Sequence, residues 1–85
     1  MGVKDLPLAG REAHASAFRH LGWTRDTKRR GRGTHILMFK AGVRAVLSIP
    51  PDKVVKRTII AAMIKLAGVT VEQYLDAFHD GKRKR

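Results

Sequence analysis

Apolar positions recur at helical spacing near both ends of the chain and at strand spacing between them. From Gly10 to Leu21, the residues Ala13, Ala17, Phe18 and Leu21 form one stripe of an amphipathic helix, and Gly22 follows to end it. Trp23 to Thr27 predicts a first strand, followed by a basic turn in which Gly31 and Gly33 permit unusual backbone angles. His35 to Lys40 predicts a second strand, Ala41-Gly42-Val43 a short turn, and Arg44 to Ile49 a third strand. In the third strand Ser48 marks the wetter face, with Leu47 and Ile49 on the buried one. Pro50-Pro51 stops that strand, and the segment to Lys56 leads into a helix over Arg57 to Ala67. Ile59, Ile60, Met63, Ile64 and Ala67 are its inner face, while Thr58, Ala61, Ala62 and Lys65 make a narrow outer stripe. Gly68 ends this helix, and Thr70 with Gln73 forms a capping box for another that turns Val71, Tyr74, Leu75 and Phe78 inward.

The order α-β-β-β-α-α predicts an α+β domain, a three-stranded antiparallel meander covered by helices, with the layout of the double-stranded-RNA-binding-domain fold. Residues 1–8 lack periodicity and carry Pro7, so they read as an extended leader. The domain occupies 9–79, and residues 80–85 read as a disordered basic tail. Eighty-five residues suffice for one small core and leave no room for a second catalytic module.

Charge narrows the function. Eighteen Lys and Arg against seven Asp and Glu give a net charge of +11, which calls for an anionic partner, a nucleic acid or an acidic protein. The absence of cysteine excludes disulfides and thiolate metal sites. The longest apolar run, Ile59 to Ile64, is too short to cross a bilayer or to form a secretory signal core, so a cytoplasmic protein is expected. Leu6 stands where a myristoylation signal needs Ser or Thr. The acidic positions also have a pattern: Glu72, Asp76 and Asp80 make a stripe along the last helix that would repel phosphate, placing nucleic acid elsewhere.

The candidate chemistry lies between the first two strands. Arg25, Lys28, Arg29, Arg30 and Arg32 crowd one connection, and five cations within eight residues repel one another unless an anion relieves them. Gly33, Thr34 and His35 follow directly. With an ordinary pKa of about 6.5, a histidine beside a phosphate-attracting loop is the side chain best suited to move a proton at neutral pH. As a general base, His35 would take the proton of a ribose 2′-hydroxyl so that the oxygen attacks the adjacent phosphorus, while Arg or Lys stabilises the developing charge. The bland reading is a polar residue tolerated at a strand start. Ideal alternation places His35, Leu37 and Phe39 on one face, so an accessible His35 is expected at a frayed strand start or a bulge. Lys56 and Arg57, at the free amides of a helix start, are second candidates for phosphate contact. His14, His20 and His79 have no partner at metal-ligand spacing and read as surface or half-buried residues, so no metal and no cofactor is expected. Trp23 and Tyr74 read as core aromatics, with base stacking left open for Trp23.

Gly10-Arg11-Glu12, Leu21-Gly22-Trp23, Gly33-Thr34-His35, Ser48-Ile49-Pro50 and the run Leu66 to Leu75 resemble, in order and spacing, the HicA family of toxin ribonucleases. The resemblance spans Leu8 to Phe78. It implies a small α-β-β-β-α domain that cleaves messenger RNA, with the family's functional histidine falling on His35. It also implies an acidic HicB-type antitoxin that covers that histidine. Three function classes follow: a metal-independent endoribonuclease toxin, a non-catalytic RNA-binding domain of the same fold, and a module whose basic face meets an acidic protein.

Overall fold

The structure is a computed structural model that describes residues 2–26 and 35–83, the last three through their backbone alone. Three helices, α1 (Arg11–His20), α2 (Arg57–Ala67) and α3 (Val71–Arg83), accompany three short strands, β1 (Thr24–Arg25), β2 (Ile36–Phe39) and β3 (Leu47–Ile49). The strands form one antiparallel sheet in the order β1-β2-β3. The α+β class and the meander agree with the sequence pattern. The strands are shorter than predicted, since the paired register extends over only two to four residues of each, and Thr27 lies outside the described part.

The register explains how the sheet acquires a wet and a dry side. Ile36 pairs with Ile49 and Met38 with Leu47, and all four are buried. Between them Leu37 pairs with Ser48, which is exposed. Helix α1 packs on the dry side across all three strands, α2 lies against β3, and α3 lies against α1. Phe18 of α1 meets Tyr74 of α3 at a ring separation of 4.9 Å, and Tyr74 meets Phe78 at 6.3 Å. Burying aromatics of this size supplies the largest single contributions to a core this small.

Helix ends follow their local chemistry. Gly68 adopts a φ of +76°, so the Gly68 and Val69 amides turn back to the carbonyls of Lys65 and Ile64 and close α2 in a Schellman arrangement. Shortly beyond it the capping box forms as the sequence predicts. The Gln73 amide donates to Thr70 Oγ1 at 3.0 Å, and the Thr70 amide donates to Gln73 Oε1 at 2.9 Å. Between these two signals the chain turns through 104° from α2 to α3. Gly10 serves a different need: a Cβ there would stand 2.9 Å from the carbonyl oxygen of Lys53, where the segment before α2 crosses the start of α1. The Val55 amide and Ala9 carbonyl, 2.9 Å apart, hold that crossing.

Both ends of the chain depart from expectation. The expected extended leader over residues 1–8 is, in its described part, not simply extended: Val3–Asp5 form a 3-10 turn and Leu6 is buried in the core. A single large apolar side chain suffices to anchor a segment that has no periodicity to reveal it. Likewise, the expected tail from residue 80 is helical through Arg83, where α3 ends; residues 84–85 lie outside the described part. Among the described residues no single helix is long and apolar enough to cross a membrane.

Candidate functional site on the open sheet face

His35 directly precedes β2 and is exposed. Its position follows from the ladder. Continuing the Ile36–Ile49 pairing by one residue sets His35 opposite Pro50, just beyond the last paired residues of β2 and β3, so His35 stands at the end of the ladder. Ile36 and Met38 face the core, which leaves His35, Leu37 and Phe39 on the side away from the helices. The alternation that seemed to bury His35 therefore exposes it, with no bulge needed. The face it shares with Leu37 and Phe39 is the open one, and the dry face of β2 belongs to the even-numbered residues.

The rest of the open face can be read from the same register. Thr24 pairs with Phe39, and the Asp26 amide donates to the Leu37 carbonyl at 2.8 Å, which sets Asp26 opposite Leu37. On the other edge Ser48 flanks Leu37, and Val46 falls opposite Phe39 when the pairing is extended by one residue. Phe39 is 45% exposed and Val46 53% exposed. Among the described aromatic residues Phe39 is the one at the surface. Trp23, for which stacking was left open, is buried in the core, as is Tyr74.

The cations divide into three groups. Lys28, Arg29, Arg30 and Arg32, with Gly33 and Thr34, lie outside the described residues. Arg25 already has its anion, since its guanidinium holds the Glu12 carboxylate of α1 through contacts of 3.0 and 3.3 Å. At the start of α2, Lys56 is exposed and its carbonyl accepts the Ile59 and Ile60 amides. Arg57 is a structural tie, because its Nε donates to the Leu6 carbonyl at 2.8 Å and fastens the N-terminal segment to α2. The fold thus sets His35 at the start of β2 and Lys56 and Arg57 at the start of α2.

His14 shows what the open site is not. It is fully buried between α1 and α3, against the sequence expectation of a surface or half-buried residue. Its Nδ1 lies 2.5 Å from the Tyr74 hydroxyl, and its ring packs 5.6 Å from that of Phe78. Assigning the proton to the hydroxyl leaves only Nε2–H without a partner, whereas the opposite tautomer strands both the hydroxyl hydrogen and the Nε2 lone pair. Burial lowers the His14 pKa to about 4 and pushes that of Tyr74 up, so the pair is neutral at pH 7. Sequence offered one cue: position 14 follows Ala13 on the apolar stripe and lies four residues before Phe18. His20, in contrast, is exposed and its Nδ1 meets the Ser16 carbonyl at 3.1 Å.

Two concavities lie away from His35. One, of about 480 Å³, is lined by Val3, Ala61, Ala62, Ile64, Lys65, Val69 and Val71. The other, of about 340 Å³, lies around the Arg25–Glu12 pair. No group of three His, Asp or Glu side chains converges to hold a metal among the described residues. Glu72, Asp76 and Asp80 are all exposed along α3, which packs mainly on α1 rather than on the sheet. Compared with known proteins, the chain matches no family, no curated protein and no solved structure.

Proposed function

We propose that this protein is a HicA-type toxin that cleaves messenger RNA in the cytoplasm with His35 as general base, and that an acidic HicB-type antitoxin neutralises it. The observation that carries this reading is the accessibility of His35 at the open end of β2, on the residue that follows the basic connection 27–34. A net charge of +11 supplies the attraction for RNA, and the ordered set of HicA-like fragments supplies the choice of chemistry. In the proposed reaction His35 takes the proton of a 2′-hydroxyl. The 2′ oxygen then bonds to the adjacent phosphorus as the bond to the 5′ oxygen breaks, and that oxygen takes a proton from water. A 2′,3′-cyclic phosphate and a 5′-hydroxyl result. Because the substrate carries its own nucleophile, this route needs no metal, and Lys28, Arg29, Arg30, Arg32 and Lys56 are the proposed phosphate contacts, with Arg57 contributing through the groups that Leu6 does not occupy.

The deciding experiment is digestion of a defined RNA by the purified protein with and without chelator. Cleavage should survive chelation and stop when the nucleotide at the cut carries a 2′-O-methyl group. Binding without cleavage would establish the non-catalytic RNA-binding domain instead. Neither binding nor cleavage would leave the acidic-partner module.

A further inference from the structure

The open sheet face carries more than His35, and its shape and composition select its occupant. Leu37, Phe39 and Val46 form a narrow apolar strip that starts beside His35 and is bordered by Thr24 and Ser48 and, opposite Leu37, by Asp26. An exposed Phe is unusual in a chain that buries Phe18, Trp23, Tyr74 and Phe78. Among the described residues no helix covers this strip, since α1 packs on the opposite side of the strands.

We infer that this face is a stacking platform for single-stranded RNA, with Phe39 holding a base of the same strand whose phosphate reaches His35. The inference rests on the reading of this protein as RNA-directed and adds the strand form of its substrate and the residue that positions it. Two arguments favour RNA over a polypeptide. The first is area: three strands with four residues on the longest present about 14 by 13 Å, roughly 200 Å². A stable protein interface needs roughly 800 Å² from each partner. A single aromatic ring, by contrast, is enough to stack one base. The second is charge. Exposed Arg44 sits on the connection that leaves β2 just after Phe39, and the chain's excess of +11 favours a polyanion and outweighs the one carboxylate beside the strip, that of Asp26. Apolar rings among cations are what unpaired nucleic acid requires, because bases need a surface to stack on and phosphates need counter-charge. A duplex hides its base faces and would leave Phe39 unused.

Spacing fits one strand running along β2. His35 and Phe39 lie four residues apart on one face, about 13 Å at the usual strand rise. With about 3.4 Å per nucleotide as the stacked minimum, that span covers at most about four nucleotides, and fewer when the strand is extended. Phe39 therefore acts on a nucleotide near the cut without touching the reacting atoms, which makes it a positioning residue.

Binding of a labelled 2′-O-methyl single strand, which cannot be cleaved, tests the platform independently of catalysis. Phe39→Ala and Phe39→Leu should each weaken binding roughly tenfold or more, and Phe39→Trp should preserve or tighten it, because stacking needs a ring where simple apolar contact does not. The duplex form of the same sequence should bind more weakly than the single strand and be indifferent to all three changes. Thermal melting confirms each fold, and if the alanine variant does not fold the Leu and Trp variants decide. Single abasic substitutions walked along a cleavable RNA should raise KM sharply at one position near the cut for the parent protein and not for Phe39→Leu. Parental binding by Phe39→Leu, or preference for duplex, would overturn the platform, and the first result would point to a polypeptide on this face. If Phe39 governs binding but no RNA is ever cut, the platform stands and the ribonuclease reading falls. If RNA is cut and Phe39→Leu has parental kcat/KM and affinity, the platform alone falls.

Discussion

The seam between α1 and α3 and the open face of the sheet each hold a histidine, and their surroundings give the two residues opposite fates. His14 is enclosed by Tyr74 and Phe78, so its ionised form is disfavoured and its ring serves as an aromatic that also makes one hydrogen bond. His35 stands where a ladder ends, on the uncovered side of the same small domain. Residue type alone therefore says little about histidine; whether a packed layer or solvent faces the ring decides between a core residue and an accessible one.

The sharpest way to break this comparison is to remove each ring in turn. His35→Ala should lower RNA cleavage by roughly 100- to 10,000-fold, the usual range for loss of a general base. It should leave stability within about 1 kcal/mol, as for other surface changes. RNA binding should persist. A folded His35→Ala protein that cuts at the parental rate would end the proposed mechanism.

The buried histidine should announce itself through pH. Below about pH 6.5 the unfolded chain takes up a proton at residue 14, but the folded chain does not until about pH 4. Stability from the neutral ring is thus complete above 6.5 and drains away as pH falls towards 4, a loss of about 3 kcal/mol. Denaturant midpoints measured from about pH 8 down to about pH 4 should show this slope in the parent and lose it in His14→Gln. Equal slopes in the two proteins would mean that the seam admits the charge.

Smaller effects separate the two regions further. Thr70→Ala removes the side-chain acceptor for the Gln73 amide and should cost about 1 kcal/mol in a denaturation curve, with RNA binding unchanged. Smallest of all, Glu72→Ala and Asp76→Ala should leave RNA affinity nearly untouched, because both lie on α3, which packs mainly on α1 and not on the sheet. A strong change in a titration of either folded variant would show that RNA meets the helical side instead.

Local chemistry was legible wherever it acts within a few residues. The bounds of α2, the glycine that closes it, the Thr70–Gln73 box, the wet face at Ser48 and the aromatic seam at Phe18, Tyr74 and Phe78 all follow from spacing or from cap and turn preferences, since each depends on neighbours along the chain. The position of His35 next to β2 was legible for the same reason. Its exposure was not, because alternation tells which residues share a face and never which face the helices will cover. That choice was made when α1 packed on Ile36, Met38, Leu47 and Ile49. The same long-range packing buried Leu6, turned Arg57 to its carbonyl, paired Arg25 with Glu12 and enclosed His14, outcomes of contact between residues far apart in sequence that no local pattern encodes. Sequence by itself determined the elements, their order and the excess positive charge; the tertiary structure decided which side of the sheet meets solvent, because burial is a property of the packed layers and periodicity is a property of the chain.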